Sequence, residues 1–311
     1  MGAGVRVAFL GNAAWSVPSL DALAGSSHDV SAVVTRPPRP APRGKGTVPT
    51  PVARAARGLA LPLHEVETVK RGAGLALLGS LELEVLVVVA YGEILPAEVL
   101  RIPRRAPVNV HFSLLPELRG PAPVQRAILE GMVSTGVSTM VMDEGVDTGP
   151  VLLQAQEAVD PDDDAGALGA RLAALGGRLL VDTLDRLAAG TLEPQPQDEA
   201  RATYAPKLTP EERLVDWAEG ASQSARRVRA LAPEPGATTQ FRGSPLKILS
   251  ATERDGDGDP GTIVSVSKDG FLVAAGSGAL APIELAPAGR KRMSAGEFVR
   301  GFRPVVGERL G

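Results

Sequence analysis

Three polar side chains lie on one face of a predicted strand in the stretch VNVHFSLLPELRG, residues 108–120. With a period of two, Asn109, His111 and Ser113 share a face, and the apolar residues between them share the other. A buried amide, imidazole or hydroxyl without a partner would cost roughly 1–3 kcal/mol, so a strand that only packed would not carry them. Pro116 removes a backbone donor and ends the strand. The polar face therefore lies near a strand's C-terminal end, where open α/β sheets bind their ligands.

A second alternating strand is followed by an acidic turn in residues 136–150, GVSTMVMDEGVDTGP. Asp147 lies between glycines, in a loop that can bend sharply. An amide, an imidazole and a carboxylate that meet can bind a carbonyl oxygen and move a proton. We therefore predict that Asn109, His111 and Asp147 come together as a catalytic site.

The composition excludes several classes of site. The chain of 311 residues suits two domains, and its net charge of −3 shows no general preference for nucleic acid. It has no cysteine, which excludes disulfides, thiolate metal sites and thiol nucleophiles, and no histidine spacing is typical of a metal site. The sequence has neither a cleavable leader nor a long apolar span. We expect a cytoplasmic monomer that does not bind membranes.

Strands and helices alternate over residues 1–189, which we predict to form the catalytic domain. This alternation predicts an α/β fold with a Rossmann-like parallel sheet. The first strand is followed by one glycine rather than GxGxxG, so the turn does not indicate a dinucleotide site. The predicted elements are strands over 5–10, 29–35 and 84–90, and helices over 16–25 (with Ser16 as its cap), 52–60, 121–131 and 165–189.

A polar, proline-bearing linker is predicted over residues 190–208, followed by a second domain over 209–311. After a short helix, its pattern changes to five short strands cut by glycine, which are typical of a small barrel such as an OB-fold. Asp269–Gly270 is a hairpin signal, and Ser294 with Glu297 forms a capping box for a last helix. Residues 207–311 hold 15 basic against 13 acidic residues, a weak indication of an anionic partner.

A basic loop over Arg36–Pro51, RPPRPAPRGKGTVPTP, carries four cationic and no acidic side chains. From composition alone it fits either a stiff solvated connection or an arm that binds phosphates.

The segments NVHFSLLPELRGPAPVQRAILEG and TGVSTMVMDEGVDTG resemble the folate-dependent formyltransferases. In that family an Asn-x-His, an S-L-L-P turn and a downstream Asp form the site, and their counterparts here are Asn109, His111, Ser113–Pro116 and Asp147. The resemblance implies 10-formyltetrahydrofolate as formyl donor, no metal, and catalytic roles for Asn109, His111 and Asp147. The folate-binding residues that it implies are Tyr91, Gly92, Ser113, Leu114, Leu115, Pro116, Asp143 and Gly145.

Both ends of the chain resemble the members of this family that act on methionyl-initiator tRNA in translation initiation. The basic loop is similar to their R-P-x-x-R-G-K insertion, and GRKRMSAGEFVRGFR is similar to the end of their C-terminal domain. One turn departs from the family: Gly11–Trp15 reads GNAAW instead of G-T-P-x-F. The tRNA-binding residues that the resemblance implies are Arg36, Arg39, Arg43 and Lys45.

Other readings stay open on the sequence. The same catalytic residues would serve a formyltransferase that acts on a sugar-nucleotide amine or on glycinamide ribonucleotide. A non-catalytic RNA- or folate-binding protein would have no reason to keep the polar row of Asn109 and His111. A nucleotide-sugar dehydrogenase would need a glycine-rich phosphate turn, which the sequence lacks.

Overall fold

A seven-stranded sheet forms the centre of the first of two compact units, in a computed structural model that describes residues 4–40 and 46–311. The first unit comprises the chain up to Pro121, Ser134–Ala158 and Gly169–Ala205. The second comprises Ala122–Val133, Val159–Leu168 and Pro206–Gly311. The boundaries of the two domains at residues 189 and 209 stay a prediction.

Seven strands of the chain build the first sheet, and short hydrophobic segments make its inner strands. All five residues of the apolar run VLVVV are buried, as expected for a strand covered on both faces. The strands are β1 (Arg6–Gly11), β2 (Asp29–Thr35), β5 (Leu63–Glu65), β6 (Val85–Val89), β7 (Ala106–His111), β8 (Ser134–Val141) and β9 (Val151–Ala158). Two further strands, β3 (Arg39–Pro40) and β4 (Thr47–Val48), pair with each other inside the predicted basic loop.

The sheet has the order β5-β2-β1-β6-β7-β8-β9. Its first five strands are parallel, which confirms the predicted fold class, but β8 and β9 are antiparallel to their neighbours. The expectation of a wholly parallel sheet was therefore wrong at this edge. The chain between β8 and β9 is only residues 142–150, too short for the crossover that a parallel neighbour requires.

Six α-helices lie within residues 17–189 of the described chain, and the longest, predicted over 165–189, has those bounds. Ser16 lies before the first helix as predicted, but its hydroxyl makes no capping bond and donates instead to the carbonyl of Val89 at 2.6 Å. The predicted cap is therefore wrong, because Ser16 serves to tie β6 to this helix. The helices are α1 (Val17–Ala24), α2 (Pro51–Gly58), α3 (Gly72–Ser80), α4 (Ala97–Leu100), α5 (Pro123–Leu129) and α6 (Ala165–Ala189). Among the described residues, no helix has both the length and the hydropathy of a membrane span.

The second unit contains an antiparallel sheet with the order β10-β11-β14-β13-β12, and β15 pairs with β14. All five predicted strands are present, and the Asp269–Gly270 turn joins β12 to β13 as predicted. The elements are α7 (Ala221–Leu231), β10 (Ala237–Phe241), β11 (Ser244–Arg254), β12 (Ile263–Val266), β13 (Phe271–Ala274), β14 (Ala279–Pro287), β15 (Met293–Ser294) and α8 (Ala295–Phe302).

The C-terminal tail joins the two edge strands of this sheet. Leu310 bridges to Phe241 at the end of β10, and Arg309 bridges to Thr262 at the start of β12. Backbone bonds from Leu310 N to Gly261 O and from Ile263 N to Glu308 O reinforce the contact with β12, and a bond from Gly311 N to Gln240 O reinforces the contact with β10. Because the C-terminal tail pairs with both edge strands, the sheet is nearly closed into a barrel, in keeping with the predicted OB-like architecture.

The capping box predicted for α8 is present. The Ser294 hydroxyl accepts from Glu297 N at 3.2 Å, and the Glu297 carboxylate accepts from Ser294 N at 2.8 Å. The hydrogen bonds from Ser294 lower the pKa of Glu297. These bonds fix the start of a helix that inserts Phe298 into the core against Phe241, Phe271 and Phe302.

We expect Ser294→Ala to destabilise the second unit by about 1 kcal/mol, because the first turn of α8 loses its cap. Urea unfolding followed by circular dichroism measures the change. Ser265→Ala, at an exposed position of β12, is the matched control and should change stability by less than about 0.5 kcal/mol. Equal effects of the two substitutions would show that the cap is not what holds α8.

Candidate active site

Strand β7 carries two of the three predicted catalytic side chains at the level where the neighbouring strand ends. Asn109 pairs with Val88, next to the last residue of β6, and His111 pairs with Ser138 on β8. Val108 and Val110 are buried, so the apolar face of β7 packs into the core. Asn109 is half-buried and His111 is 6% exposed. The alternation read from the sequence therefore places an amide and an imidazole side by side, as predicted.

The loop between β8 and β9 brings Asp147 to this pair. Because β8 is antiparallel, the loop begins beside Val108, and Met142 N donates to Pro107 O. At the other end of the loop, the backbone of Gly149 passes so close to Val141 that an added Cβ would lie 1.9 Å from its carbonyl oxygen. Only glycine fits there. The antiparallel edge, which the sequence did not predict, is thus what sets the path of this loop.

Asp147 contacts both residues of β7 through its carboxylate. The Asn109 amide donates to Oδ1 at 3.4 Å, and Oδ2 lies 3.6 Å from His111 Nδ1. Oδ2 also accepts from Gly120 N at 2.8 Å. The side chain of Asp147 is 19% exposed, so the cluster is open to a small group from solvent. The three predicted residues are together in space.

The tautomer of His111 follows from its second contact. Nε2 lies 3.0 Å from the carbonyl oxygen of Leu118, which can only accept. Nε2 therefore carries a proton, and Nδ1 is the ring nitrogen that faces Asp147.

The S-L-L-P turn follows β7 and is held from β8 and β9. Ser138 Oγ donates to Ser113 O at 2.7 Å and accepts from Leu115 N at 3.0 Å, and the Gln154 amide donates to Leu115 O at 2.9 Å. Ser113 is buried, and its own hydroxyl donates to Glu117 O at 2.6 Å. Leu115 and Pro116 are buried, and Leu114 is half-buried.

The acidic loop residues of the predicted folate set are exposed. Asp143 Oδ1 accepts from Gly145 N at 3.0 Å and from Thr148 Oγ1 at 2.7 Å. This carboxylate therefore caps its own loop. A role of Asp143 and Gly145 in folate binding stays a prediction.

Tyr91 and Gly92 follow β6, and the divergent Gly11–Trp15 turn holds them. The Asn12 amide donates to Tyr91 O, and its oxygen accepts from Thr35 Oγ1 and from Arg36 N, each at 2.8 Å. Burial, and then the nearby charge of Glu93, raise the pKa of Tyr91 to about 12, so the phenol stays neutral. The family's usual turn residues are thus replaced here by an asparagine that joins three segments.

The four predicted tRNA-binding cations have different surroundings. The Arg36 guanidinium lies 3.4 Å from Gly92 O and 3.7 Å from the Glu93 carboxylate, so it is attached to the turn after β6. Arg39 is exposed on the short strand β3. Arg43 and Lys45 lie outside the described residues.

Residues that sequence reasoning missed surround Asp147. Arg119, which is buried, and Gly120, whose N donates to Asp147, fall within the motif stretch, where the Arg-Gly pair after the S-L-L-P turn was the available signal. Gln197, which hydrogen-bonds the backbone of the Asp147 loop, lies in the aperiodic segment predicted as a linker. No pattern of the sequence points to it.

Chemically, the cluster combines N–H donors with a carboxylate that can accept a proton. Such a set suits the polarisation of a carbonyl group and the deprotonation of an attacking amine. Among the described residues, no group of three or more His, Asp or Glu side chains is arranged to hold a metal ion.

Comparison with known proteins gives full-length matches. The family described as Formyl transferase matches residues 5–184, and the Formyl transferase, C-terminal domain family matches residues 207–303. A methionyl-tRNA formyltransferase of Roseiflexus sp. (strain RS-1) is 45% identical over 99% of this chain and 95% of its own length. The same-named protein of Magnetococcus marinus is 44% identical over 98% of each chain.

A solved structure of HypX from Aquifex aeolicus in complex with tetrahydrofolic acid has a similar fold. It matches with a TM-score of 0.68 at 18% sequence identity, over 98% of this chain. The chain spans about half the length of HypX, 48%.

Proposed function

This chain belongs to the formyltransferase family, and we propose that it transfers the formyl group of 10-formyltetrahydrofolate to the amino group of methionyl-initiator tRNA. The family resemblance read from the two motifs is confirmed. The observation that carries the proposed chemistry is the contact of Asp147 with both Asn109 and His111. The choice of acceptor rests on relatives of the same name at 41–45% identity over nearly the whole chain.

The residues of the cluster fit a formyl donor. Two donor-capable nitrogens, Asn109 Nδ2 and His111 Nδ1, lie within 3.6 Å of one carboxylate. A formyl oxygen that enters between them meets groups that favour negative charge on it. Bound formyl-tetrahydrofolate supplies the electrophilic carbon, and the chain's own residues supply the polarisation and the proton acceptor.

The roles of the side chains follow from their positions. Asn109, and His111 when Nδ1 as well as Nε2 carries a proton, donate hydrogen bonds to the formyl oxygen as it gains charge. Asp147 accepts the proton that the methionyl amine loses, directly or through one water, when its nitrogen bonds to the formyl carbon. The transfer would break the bond from that carbon to the folate nitrogen, and that nitrogen would take the proton that Asp147 has accepted. His111, held by Leu118, keeps its Nδ1 toward the reacting atoms.

The folate and tRNA contacts are also proposals. Tyr91, Gly92 and the Ser113–Pro116 turn lie at the ends of adjacent parallel strands, the usual place for a ligand in such sheets. Arg36, Arg39, Arg43 and Lys45 would contact tRNA phosphates, and charge on this arm favours a polyanion.

An acceptor assay tests the proposed function. The purified protein is incubated with 10-formyltetrahydrofolate and, in parallel, with methionyl-initiator tRNA, glycinamide ribonucleotide or an amino-sugar nucleotide. We expect formyl-methionine, detected by mass spectrometry after hydrolysis of the tRNA ester, and no product from the other amines. A formylated sugar or glycinamide product without formyl-methionine would show that the acceptor is wrong and the chemistry right.

A further inference from the structure

Residues 197–205, here called the brace segment, run alongside the chain that precedes Gly120. Backbone bonds join Arg119 N to Thr203 O at 2.9 Å and Ala205 N to Arg119 O at 2.6 Å. The Thr203 hydroxyl accepts from Leu118 N at 2.8 Å. Leu118 is the residue whose carbonyl holds His111. A segment predicted as linker is therefore bound to the part of the chain that orients the imidazole.

Gln197 connects the brace segment to the Asp147 loop with all of its polar atoms. Its amide nitrogen donates to Asp147 O at 2.9 Å and to Gly149 O at 2.7 Å. Its amide oxygen accepts from Arg119 Nε at 3.0 Å. Rotating the amide by half a turn would set oxygen against two carbonyls and nitrogen against a guanidinium, so only this orientation is satisfied.

Arg119 is held in place for this contact. It is 7% exposed, and its two terminal nitrogens form bonds of 2.9 and 2.8 Å to the two oxygens of Glu199. These bonds raise the pKa of Arg119 and lower the pKa of Glu199, so both groups stay charged at neutral pH. The acceptor atom of Gln197 therefore faces a fixed cation.

Asp147 needs such a support because of its backbone. Its φ of 55° lies in the left-handed region, which costs a non-glycine residue roughly 1–2 kcal/mol. In this conformation its carboxylate lies 3.4 Å from the Asn109 amide and 3.6 Å from His111 Nδ1. Loss of both amide bonds would allow the loop to relax and carry the carboxylate away from these partners.

We propose that Gln197 is a positioning residue, which holds the backbone of Asp147 so that its carboxylate faces Asn109 and His111. The inference rests on the proposed function, since it assigns Gln197 to the geometry of that same site. Gln197 does not touch the reacting atoms and acts through Asp147 alone.

Two variants and a matched control test the inference. Gln197→Glu keeps the shape and the contact with Arg119 but sets carboxylate oxygens against two carbonyls, and Gln197→Met keeps the length without polar atoms. Gln195→Met changes an exposed glutamine two residues earlier, whose side chain donates only to Glu193 O at 3.3 Å. We expect both Gln197 variants to lower kcat roughly 10- to 100-fold, with each substrate's KM within about 2-fold of the original, while Gln195→Met retains full kcat.

Hydrogen exchange gives a readout that does not depend on the acceptor. Amides of residues 142–149 and of Gly120 should exchange at least about 10-fold faster in both Gln197 variants, and at an unchanged rate in Gln195→Met. If the unaltered protein formylates a different amine, the same kcat comparison is made with that amine. Unchanged exchange together with unchanged kcat per folded molecule in Gln197→Glu would overturn the inference and leave the proposed function intact.

Discussion

Asp147→Asn is expected to lower kcat for formyl transfer by roughly 10²–10⁴, the range typical of losing a general base. The substitution keeps the size of the side chain. It also keeps an oxygen that can accept from Gly120 N, which lies 2.8 Å from Asp147 Oδ2 in the unaltered protein. It removes the negative charge beside His111 and the group that takes the amine proton. Single-turnover formylation of methionyl-initiator tRNA measures the loss at the chemical step. The KM for each substrate should stay within about 2-fold, because the aspartate acts in the transition state rather than in binding.

Glu144→Gln is the matched control for this experiment. Glu144 lies in the same loop, its side chain is 73% exposed, and its nearest cation is Arg101 at 3.9 Å. Removing its charge changes the electrostatic field of the loop without touching the cluster, and an exposed pair of this kind contributes little. If Asp147→Asn turned over like Glu144→Gln, the role of Asp147 as proton acceptor would be refuted.

Hydrophobic patterns predicted most of the fold because each element's own residues carry the signal. The apolar run of β6 and the helical period of α6 are local properties, and both elements were found where expected. The direction of β8, in contrast, could not be predicted from a local pattern. Period-two alternation is the same in a parallel and an antiparallel strand, so the residues of β8 do not indicate whether it pairs parallel or antiparallel with β7.

The site, like the fold, could be predicted only where local patterns carry the signal. Asn109 and His111 are two residues apart on one strand, so their shared face follows from geometry alone. Asp147 was found because its glycine-flanked acidic turn is conspicuous and resembles a known motif. Gln197 lies 50 residues beyond Asp147 in the chain, and its contacts are with backbone carbonyls. Every residue has a backbone carbonyl, so residue types do not reveal such partners. The sequence therefore predicted only a polar linker around Gln197.

Ser16 and Asn12 illustrate a further limit. A serine before a helix predicts a capping bond, yet a tertiary partner, the Val89 carbonyl, takes its hydroxyl. Asn12 stands in a turn that departs from the family, and its amide bonds two distant segments at once, at Tyr91 and at Thr35–Arg36. In both cases local propensity was overruled by a partner more than 20 residues away, which the local pattern does not encode.

Asn109→Ala is expected to lower kcat by roughly 10²–10³, about 3–4 kcal/mol, because the formyl oxygen loses one donor in the transition state. The amide is half-buried and 3.4 Å from Asp147 Oδ1, so its removal leaves the strand and its apolar face in place. Asn109→Asp should be slower than Asn109→Ala. It keeps the shape of the side chain but sets a second carboxylate beside Asp147, and two like charges about 4 Å apart repel by roughly 4 kcal/mol at an effective dielectric constant near 20.

The order of the two Asn109 variants separates a donor from a packing role. Rates are measured by single turnover with saturating 10-formyltetrahydrofolate, and circular dichroism verifies the fold of each variant. A packing role predicts that the isosteric aspartate restores activity relative to alanine, because the volume is refilled. A donor role predicts the reverse order, since a second carboxylate cannot donate to the oxygen and its charge opposes the negative charge that develops there. An aspartate variant faster than the alanine variant would therefore remove Asn109 from the set that binds the formyl oxygen.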